Sequence, residues 1–172
     1  MARPADDEYA PFYKDYVGLV PEDEVLPVLA AQRDLVSQIA ASIPGDRETF
    51  RYADGKWSIR EILGHIGDGE RVFGYRAFCI GRGDQAAFPG FDQDDYMAAA
   101  DYDRVPLADL AADFAALRAS NLTVLRRLPP ERWAQAGTAS NARVTVRALA
   151  YVMAGHVRHH LGVLRARYGL IG

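Results

Sequence analysis

Three of the four histidines have a spacing that suits metal binding: His65, His156 and His160. His156 and His160 are four residues apart in a segment with helical periodicity, so their imidazoles share one helix face, one turn apart. Two such imidazoles can ligate one metal ion, and His65 would complete a three-ligand site with an open coordination position. Catalytic metal centres usually keep such a position, whereas a structural zinc normally takes four protein ligands.

A helical wheel at about 100° per residue separates the three histidines of the last helical segment. With His156 taken as zero, its apolar residues centre at about +60°, and His156 and His160 fall inside that apolar sector. His159, at about −60°, falls at its edge and points away from His160. The apolar set is Val146, Leu149, Ala150, Met153, Val157, Leu161, Val163 and Leu164. The wheel therefore favours His156 and His160 as the ligand pair.

His65 lies beside the apolar stripe of an earlier helical segment, with Glu61 and Asp68 on the same flank. A carboxylate there could accept the second ring N–H of a ligating histidine and fix its tautomer. The alternative is a set of ordinary core histidines, each satisfied by one hydrogen bond. An unpaired imidazole is costly to bury. Three inward-facing histidines on two segments therefore strengthen the metal-site interpretation, while the core alternative stays open at this point.

Four segments have helical periodicity, at about residues 21–43, 58–82, 106–128 and 145–168. Ser58 and Glu61 form a capping-box pattern, Thr145 is a plausible N-cap, and Gly169 ends the last segment. Helices of this length with apolar stripes predict an all-α four-helix bundle, and the length predicts a single domain over residues 1–172. Residues 1–20 are expected to form an extended, aromatic-rich arm that lies over the bundle as a lid or joins a dimer contact.

Two connections are too long for tight turns between helices. Residues 84–105 are rich in aromatic and acidic side chains, and long connections of this kind are often functional. Asp92, Asp94 and Asp95 lack the calcium-loop pattern, so we interpret them as cap and turn residues. The segment before the last helix, rich in Gly, Ser and Asn, predicts a loop or short hairpin. Cys79 is interpreted as a small buried hydrophobe.

The composition excludes several classes of protein. A net charge of −3 and a pI near 5.8 offer no basic stripe for nucleic acid. No apolar run approaches the roughly 20 residues that span a bilayer, and the acidic N-terminal residues do not resemble a signal peptide. The single cysteine excludes an intramolecular disulfide and fits a reducing compartment. We therefore expect a cytoplasmic protein without nucleic-acid or membrane partners.

Three blocks of the sequence resemble the DinB/YfiT-like superfamily: KWSIREILGHIGDGERVFGYRAFCIGRGD, FPGFDQDDYMAAA and TVRALAYVMAGHVRHHLGVLRARYG. The resemblance implies a DinB-like four-helix bundle with a long crossover connection. It also implies a divalent metal ion held by one histidine of the second helix and two of the fourth, here His65, His156 and His160. His159 is then not a ligand.

The superfamily includes transferases that join bacillithiol, mycothiol or glutathione to an electrophile, so the resemblance implies a metal-dependent thiol transferase acting on a small molecule. A metal-dependent hydrolase and a non-catalytic, damage- or stress-inducible metal-binding protein are the alternatives. Three imidazoles accept several divalent ions, of which zinc and nickel are the first expectations. A thiol with carboxylates needs cationic groups near the metal, and Arg76 and Arg167 are the candidates. The protein is expected to be a homodimer.

Overall fold

The computed structural model describes residues 2–170; residues 1, 171 and 172, at the ends of the expected 1–172 domain, lie outside the described part. The α-helices are α1 (Lys14–Gly18), α2 (Val25–Ser42), α3 (Ile59–Gly81), α4 (Gln93–Ala100), α5 (Leu107–Arg126) and α6 (Val146–Tyr168). The strands are β1 (Ala87–Phe88), β2 (Ala136–Ala139) and β3 (Ala142–Thr145). Short 3-10 helices lie at Asp6–Glu8, Pro11–Tyr13, Gly45–Arg47, Tyr102–Arg104 and Pro130–Ala134.

The four long helices form a bundle in which consecutive helices are not always neighbours. Both α2 and α3 pack against α5 and α6, so α2 and α3 lie on opposite corners. The connections from α2 to α3 and from α5 to α6 therefore cross the bundle diagonally. The expected all-α four-helix bundle with a crossover connection is confirmed. No helix of residues 2–170 is both long and apolar enough to cross a membrane.

The helix ends follow local sequence signals. The Ser58 hydroxyl accepts a hydrogen bond from the Glu61 N–H at 3.0 Å, and the Glu61 carboxylate accepts one from the Ser58 N–H at 2.6 Å. This is the capping box that the sequence predicts at the start of α3. Thr145 caps α6 by accepting from the Ala148 N–H, and Gly169 ends α6 with φ 65°, a conformation that glycine adopts easily.

The first bundle helix starts later than residue 21, where the sequence predicts it because Glu22, Asp23 and Glu24 suit a first helical turn. Glu24 is extended, and α2 begins at Val25. Proline has no N–H to donate, so it is tolerated in the first helical turn, where N–H groups lack intrahelical partners. A start at Val25 puts Pro27 within that first turn, whereas a start at Pro21 would put it in the helix interior.

The prediction of an extended N-terminal arm is wrong. Two 3-10 turns and α1 form instead, and Tyr9, Tyr13 and Val17 are buried in the core. The contact that allows this is at Gly155 of α6, where a Cβ atom would lie only 1.9 Å from the Tyr16 carbonyl oxygen. Because glycine has no Cβ, α1 packs directly on α6. The aromatic N-terminal segment is therefore packed into the bundle as part of its core.

A small sheet lies beside the bundle. Strands β2 and β3 form an antiparallel hairpin around Ser140 and Asn141, whose φ angles of 52° and 60° are those of a two-residue type I′ turn. The sequence left open a loop or a hairpin at this place. Strand β1 pairs in parallel with β2, which the sequence did not predict. In the connection between α3 and α5, which contains β1, Asp92 caps α4 by accepting hydrogen bonds from two backbone N–H groups, as the cap interpretation expects.

The bundle interior contains an ion pair as well as apolar side chains. Arg118 of α5 is fully buried and donates two hydrogen bonds to the Glu70 carboxylate of α3, at 2.8 and 2.9 Å. It also donates to the Leu29 carbonyl and the Gln32 side chain of α2. This network joins three helices. Cys79 is buried, as the sequence indicates for a small hydrophobe.

Candidate metal centre

Helices α3 and α6 bring three histidines together in the interior of the bundle. His65 lies on α3, and His156 and His160 lie one turn apart on α6. All three are at least 93% shielded from solvent, and one ring nitrogen of each lies within 4.8 Å of the others. His65 Nε2 and His156 Nε2 are 3.0 Å apart. The structure therefore assembles the trio that the sequence singled out.

The arrangement fits a metal ion better than it fits three core histidines. His160 Nε2 is buried and has no hydrogen-bond partner within the described residues. An unpartnered buried nitrogen is unusual in a folded protein and indicates a place where a water molecule or an ion can bind. Two nitrogens that bind one zinc ion at about 2.0–2.1 Å lie roughly 3.3 Å apart in tetrahedral geometry, close to the observed distance between His65 and His156.

Burial keeps the three imidazoles neutral. Desolvation lowers the pKa of His65 to about 4, with a smaller contribution from His159. Desolvation also lowers the pKa values of His156 and His160 well below their ordinary value, and the neighbouring histidines add to the shift. A neutral imidazole has a free lone pair, which is the form that ligates a metal ion. At neutral pH no proton has to leave before an ion binds.

The position of His156 depends on a glycine of the facing helix. A Cβ atom at Gly69 would lie 2.6 Å from Cε1 and 2.8 Å from Nδ1 of His156. The absence of that side chain lets the imidazole pack directly against the backbone of α3.

Aromatic rings surround the histidines, and sequence reasoning missed most of them. Trp57 packs against His65 and His160, with ring centroids 4.7 and 6.3 Å away. Tyr16 and Phe73 pack edge-on against His156. A signal existed only for Phe73, which shares the inward face of α3. Nothing in the sequence links Tyr16 to the site.

The carboxylates expected to orient His65 are engaged elsewhere. Asp68 accepts a hydrogen bond from the Tyr102 hydroxyl at 2.7 Å, and Glu61 caps Ser58 and pairs with Arg51. Tyr102 reaches this position because Gly64 leaves room for its ring against α3. The long connection before α5 thereby occupies the flank where an orienting carboxylate was expected.

Two cavities meet the histidines from different sides. The first, which we call the His156 cavity, has a volume of about 360 Å³ and is bordered by His65 and His156. The second, the His160 cavity, has a volume of about 270 Å³ and is bordered by His160. Gln93, the first residue of α4, lines both. The candidate centre is therefore within reach of small molecules.

The two arginines proposed to bind substrate have different surroundings. Arg76 is buried and lines the His156 cavity, which His65 also borders. Arg167 is exposed and lines neither cavity, because it lies eleven residues beyond His156 along α6, about 16 Å away. His159 is also exposed and lines neither cavity.

Comparisons with known proteins agree with this architecture. No curated protein sequence matches the chain. Among solved structures, the chain resembles YfiT from Bacillus subtilis, described as a probable metal-dependent hydrolase with an unusual four-helix bundle topology, with a TM-score of 0.75 and 15% identity over 98% of this chain and 94% of that one. At that identity the likeness shows the fold alone. The family model of the DinB superfamily matches residues 29–164. The chain therefore belongs to the DinB superfamily.

Proposed function

We propose that this protein is a divalent-metal-dependent transferase that joins a low-molecular-weight thiol to an electrophilic small molecule, with His65, His156 and His160 as the metal ligands. The observation that carries the proposal is the unpartnered, buried Nε2 of His160 next to two neutral imidazoles at the meeting point of two cavities. A divalent ion held by three imidazoles keeps an open position and lowers the pKa of a thiol or water bound there.

The walls of the His156 cavity favour a thiol over water as the nucleophile. The lining of this cavity is largely aromatic and includes Tyr16, Phe73 and Phe91. Sulfur packs favourably against aromatic rings. The described lining residues of the cavity include no carboxylate to take a proton from water. A thiol needs less help, since its unperturbed pKa of about 8.5 is far below that of water. In the overall reaction a C–S bond forms, the leaving group departs with the bonding electrons, and the thiol proton passes to solvent.

Hydrolysis is the second candidate. YfiT, which has a similar fold, is described as a probable metal-dependent hydrolase, and a carboxylate lines the His160 cavity of this protein. Asp94 lines the His160 cavity together with Gln93 and is exposed to solvent. A carboxylate next to a candidate metal centre is the group that usually serves as a general base for water. If Asp94 has this role, the substrate enters through the His160 cavity and no thiol is required.

A paired assay separates these functions. Protein loaded with zinc, nickel or cobalt is mixed with bacillithiol, mycothiol or glutathione and an aryl halide, and separately with an activated ester without thiol. We expect one thiol to be consumed, to change the d–d bands of the cobalt-loaded protein and to lose its reactivity on chelation. Ester cleavage without thiol would establish the hydrolase instead, and bound metal with neither activity would leave a non-catalytic protein.

The ligand set is tested with a matched pair of variants on one helix. We expect His160→Ala to lower the bound metal well below one ion per chain, whereas His159→Ala retains it, because His159 is exposed and lines neither cavity. Metal content is measured by elemental analysis after dialysis. Equal losses in the two variants would contradict the assignment.

A further inference from the structure

Arg76 is a buried cation that has no carboxylate partner. Arg76 is only 3% exposed, and no ion pair joins it to an Asp or Glu of residues 2–170. Its guanidinium donates to the Pro89 carbonyl at 2.5 Å and makes longer contacts of 3.4 Å to the Tyr13 hydroxyl and 3.5 Å to the Ser140 hydroxyl. A guanidinium has five N–H donors, so these neutral acceptors leave part of its capacity unused.

The other buried arginine of the chain shows the ordinary arrangement. Arg118 is fully buried and has both oxygens of Glu70 as partners, at 2.8 and 2.9 Å. Buried charges are normally paired in this way because removing an isolated charge from water is costly. The missing partner of Arg76 is therefore a feature of its location, at the wall of a cavity, and an anion that enters the cavity can supply it.

The cavities that adjoin Arg76 contain no competing charge. One is the His156 cavity, and the other is an apolar cavity of about 190 Å³ beneath β1 and α4, bordered by Phe88 and Tyr96. Arg76 is the only Lys, Arg, Asp or Glu among the described residues that line either one. This is notable in a chain that has 23 acidic residues. In a low-dielectric cavity a lone cation attracts an anion strongly.

We propose that Arg76, together with the hydroxyls of Ser140 and Tyr13, is an anion subsite that binds the carboxylate of a small organic acid whose other end lies at the histidines. The identity of that other end rests on the proposed function; the anion subsite does not. Burial raises the pKa of Tyr13, so its hydroxyl stays protonated and can donate. Ser140 is held in place because it lies in the two-residue turn between β2 and β3.

Charge and spacing define the class of ligand. A single guanidinium balances a single negative charge and matches the planar, two-oxygen geometry of a carboxylate, whereas a phosphate dianion would need further cations. Arg76 follows His65 by eleven residues on α3, three turns along nearly the same face and about 16 Å at the backbone. Arginine leans back toward the start of its helix, which shortens the gap. The ligand is therefore an elongated monocarboxylate rather than a compact one such as acetate.

Binding is tested in the metal-free protein, so that the outcome does not depend on the metal centre. Hexanoate and its neutral analogue hexanamide are titrated by calorimetry and by thermal shift. We expect hexanoate alone to bind, and Arg76→Gln to weaken it about 10- to 100-fold, as loss of a charge-assisted pair predicts. Arg76→Lys should retain part of the affinity. Arg82→Gln, which removes the same charge from the exposed end of α3, is the matched control and should bind like the unmodified protein.

Equal binding of hexanoate and hexanamide, no binding of either, or unchanged affinity in Arg76→Gln would each overturn the proposal. The comparison of the two ligands needs no variant, so it stands even if Arg76→Gln folds poorly by circular dichroism. Failure of the metal-dependent activity would leave this binding result intact, and loss of hexanoate binding would leave the metal result intact.

The carboxylate can belong to the thiol or to the electrophile, and turnover of the metal-loaded protein distinguishes these two sources. In one arm 6-mercaptohexanoate is compared with its methyl ester against a neutral electrophile. In the other arm a neutral thiol is tested against an elongated electrophile that bears a carboxylate and against the amide of that electrophile. We expect Arg76→Gln to raise KM for the carboxylate-bearing partner in one arm by the same factor as it weakens hexanoate, with little change in kcat. An unchanged KM in both arms would refute a role of the subsite in substrate binding.

Discussion

Replacing Gly69 with alanine should weaken metal binding while the bundle stays folded. The new Cβ would lie 2.6 Å from His156 Cε1, whereas ordinary van der Waals contact begins at 3.4 Å, so the imidazole has to move by about 0.8 Å. Metal–ligand distances tolerate only about ±0.2 Å. Displacing one of three ligands by several times that tolerance should lower the affinity by at least 10- to 100-fold, the range found when a residue that orients a ligand is lost.

The cost in stability should be moderate. His156 is buried, so overpacking at this place is expected to lower the free energy of unfolding by about 1–3 kcal/mol. Zinc affinity is measured by competition with a chromophoric chelator, and stability is measured by urea unfolding of the metal-free protein. The two measurements separate a displaced ligand from a damaged fold.

Gly67→Ala is the matched control, since it makes the same change two residues earlier on α3. Its Cβ would meet only the ends of two side chains, Arg71 Nη1 at 3.4 Å and Asp113 Oδ2 at 3.6 Å. Alanine also favours a helix interior over glycine by about 0.5–1 kcal/mol, so this variant should be at least as stable as the unmodified protein. Unchanged zinc affinity in Gly69→Ala, or the same loss in both variants, would refute the reasoning.

Two further predictions concern stability. The folded pKa of His65 is about 4, below its usual 6.5, so in the metal-free protein the unfolded chain takes up a proton first as the pH falls. His65 therefore leaves the free energy of unfolding undiminished above pH 6.5 and should lower it by roughly 3 kcal/mol once the pH has fallen below 4. Urea unfolding at several pH values should show a smaller decline in His65→Ala. Arg118→Met leaves Glu70 buried without its partner and should cost about 3–5 kcal/mol, part of which Arg118→Met with Glu70→Gln should restore. A loss below about 1 kcal/mol for Arg118→Met would show that the pair is solvated or dispensable.

The helices were predictable from the sequence to the extent that their signals are local. The capping box at Ser58 and Glu61 involves residues three positions apart, and it forms as predicted. The start of α2 was misplaced because the acidic residues after Pro21 suit a first helical turn, while the constraint from Pro27 decides the position. The N-terminal arm was mispredicted because its structure depends on Gly155, far away in the sequence.

The candidate site was predictable only in its ligands. The four-residue spacing of His156 and His160 is local information, and so is the position of His65 beside the apolar stripe of its helix, which the resemblance to the superfamily also implies. The residues around them were not predictable in the same way. Trp57 and Tyr16 contact the histidines through packing between separate elements, and Asp68 bonds to Tyr102 of a distant connection instead of a histidine.

The sequence by itself determined what depends on neighbours along the chain: the inward faces of the helices, their caps, and two imidazoles one turn apart. Tertiary structure decided which faces meet. His65 and His156 are separated by 91 positions, and their nitrogens lie 3.0 Å apart only because α3 packs directly on α6. The packing of α3 against α5 pairs Arg118 with Glu70, whereas Arg76 on α3 is buried without a carboxylate partner among residues 2–170. Burial and pairing are properties of surfaces brought together by the fold, and a one-dimensional pattern does not specify them.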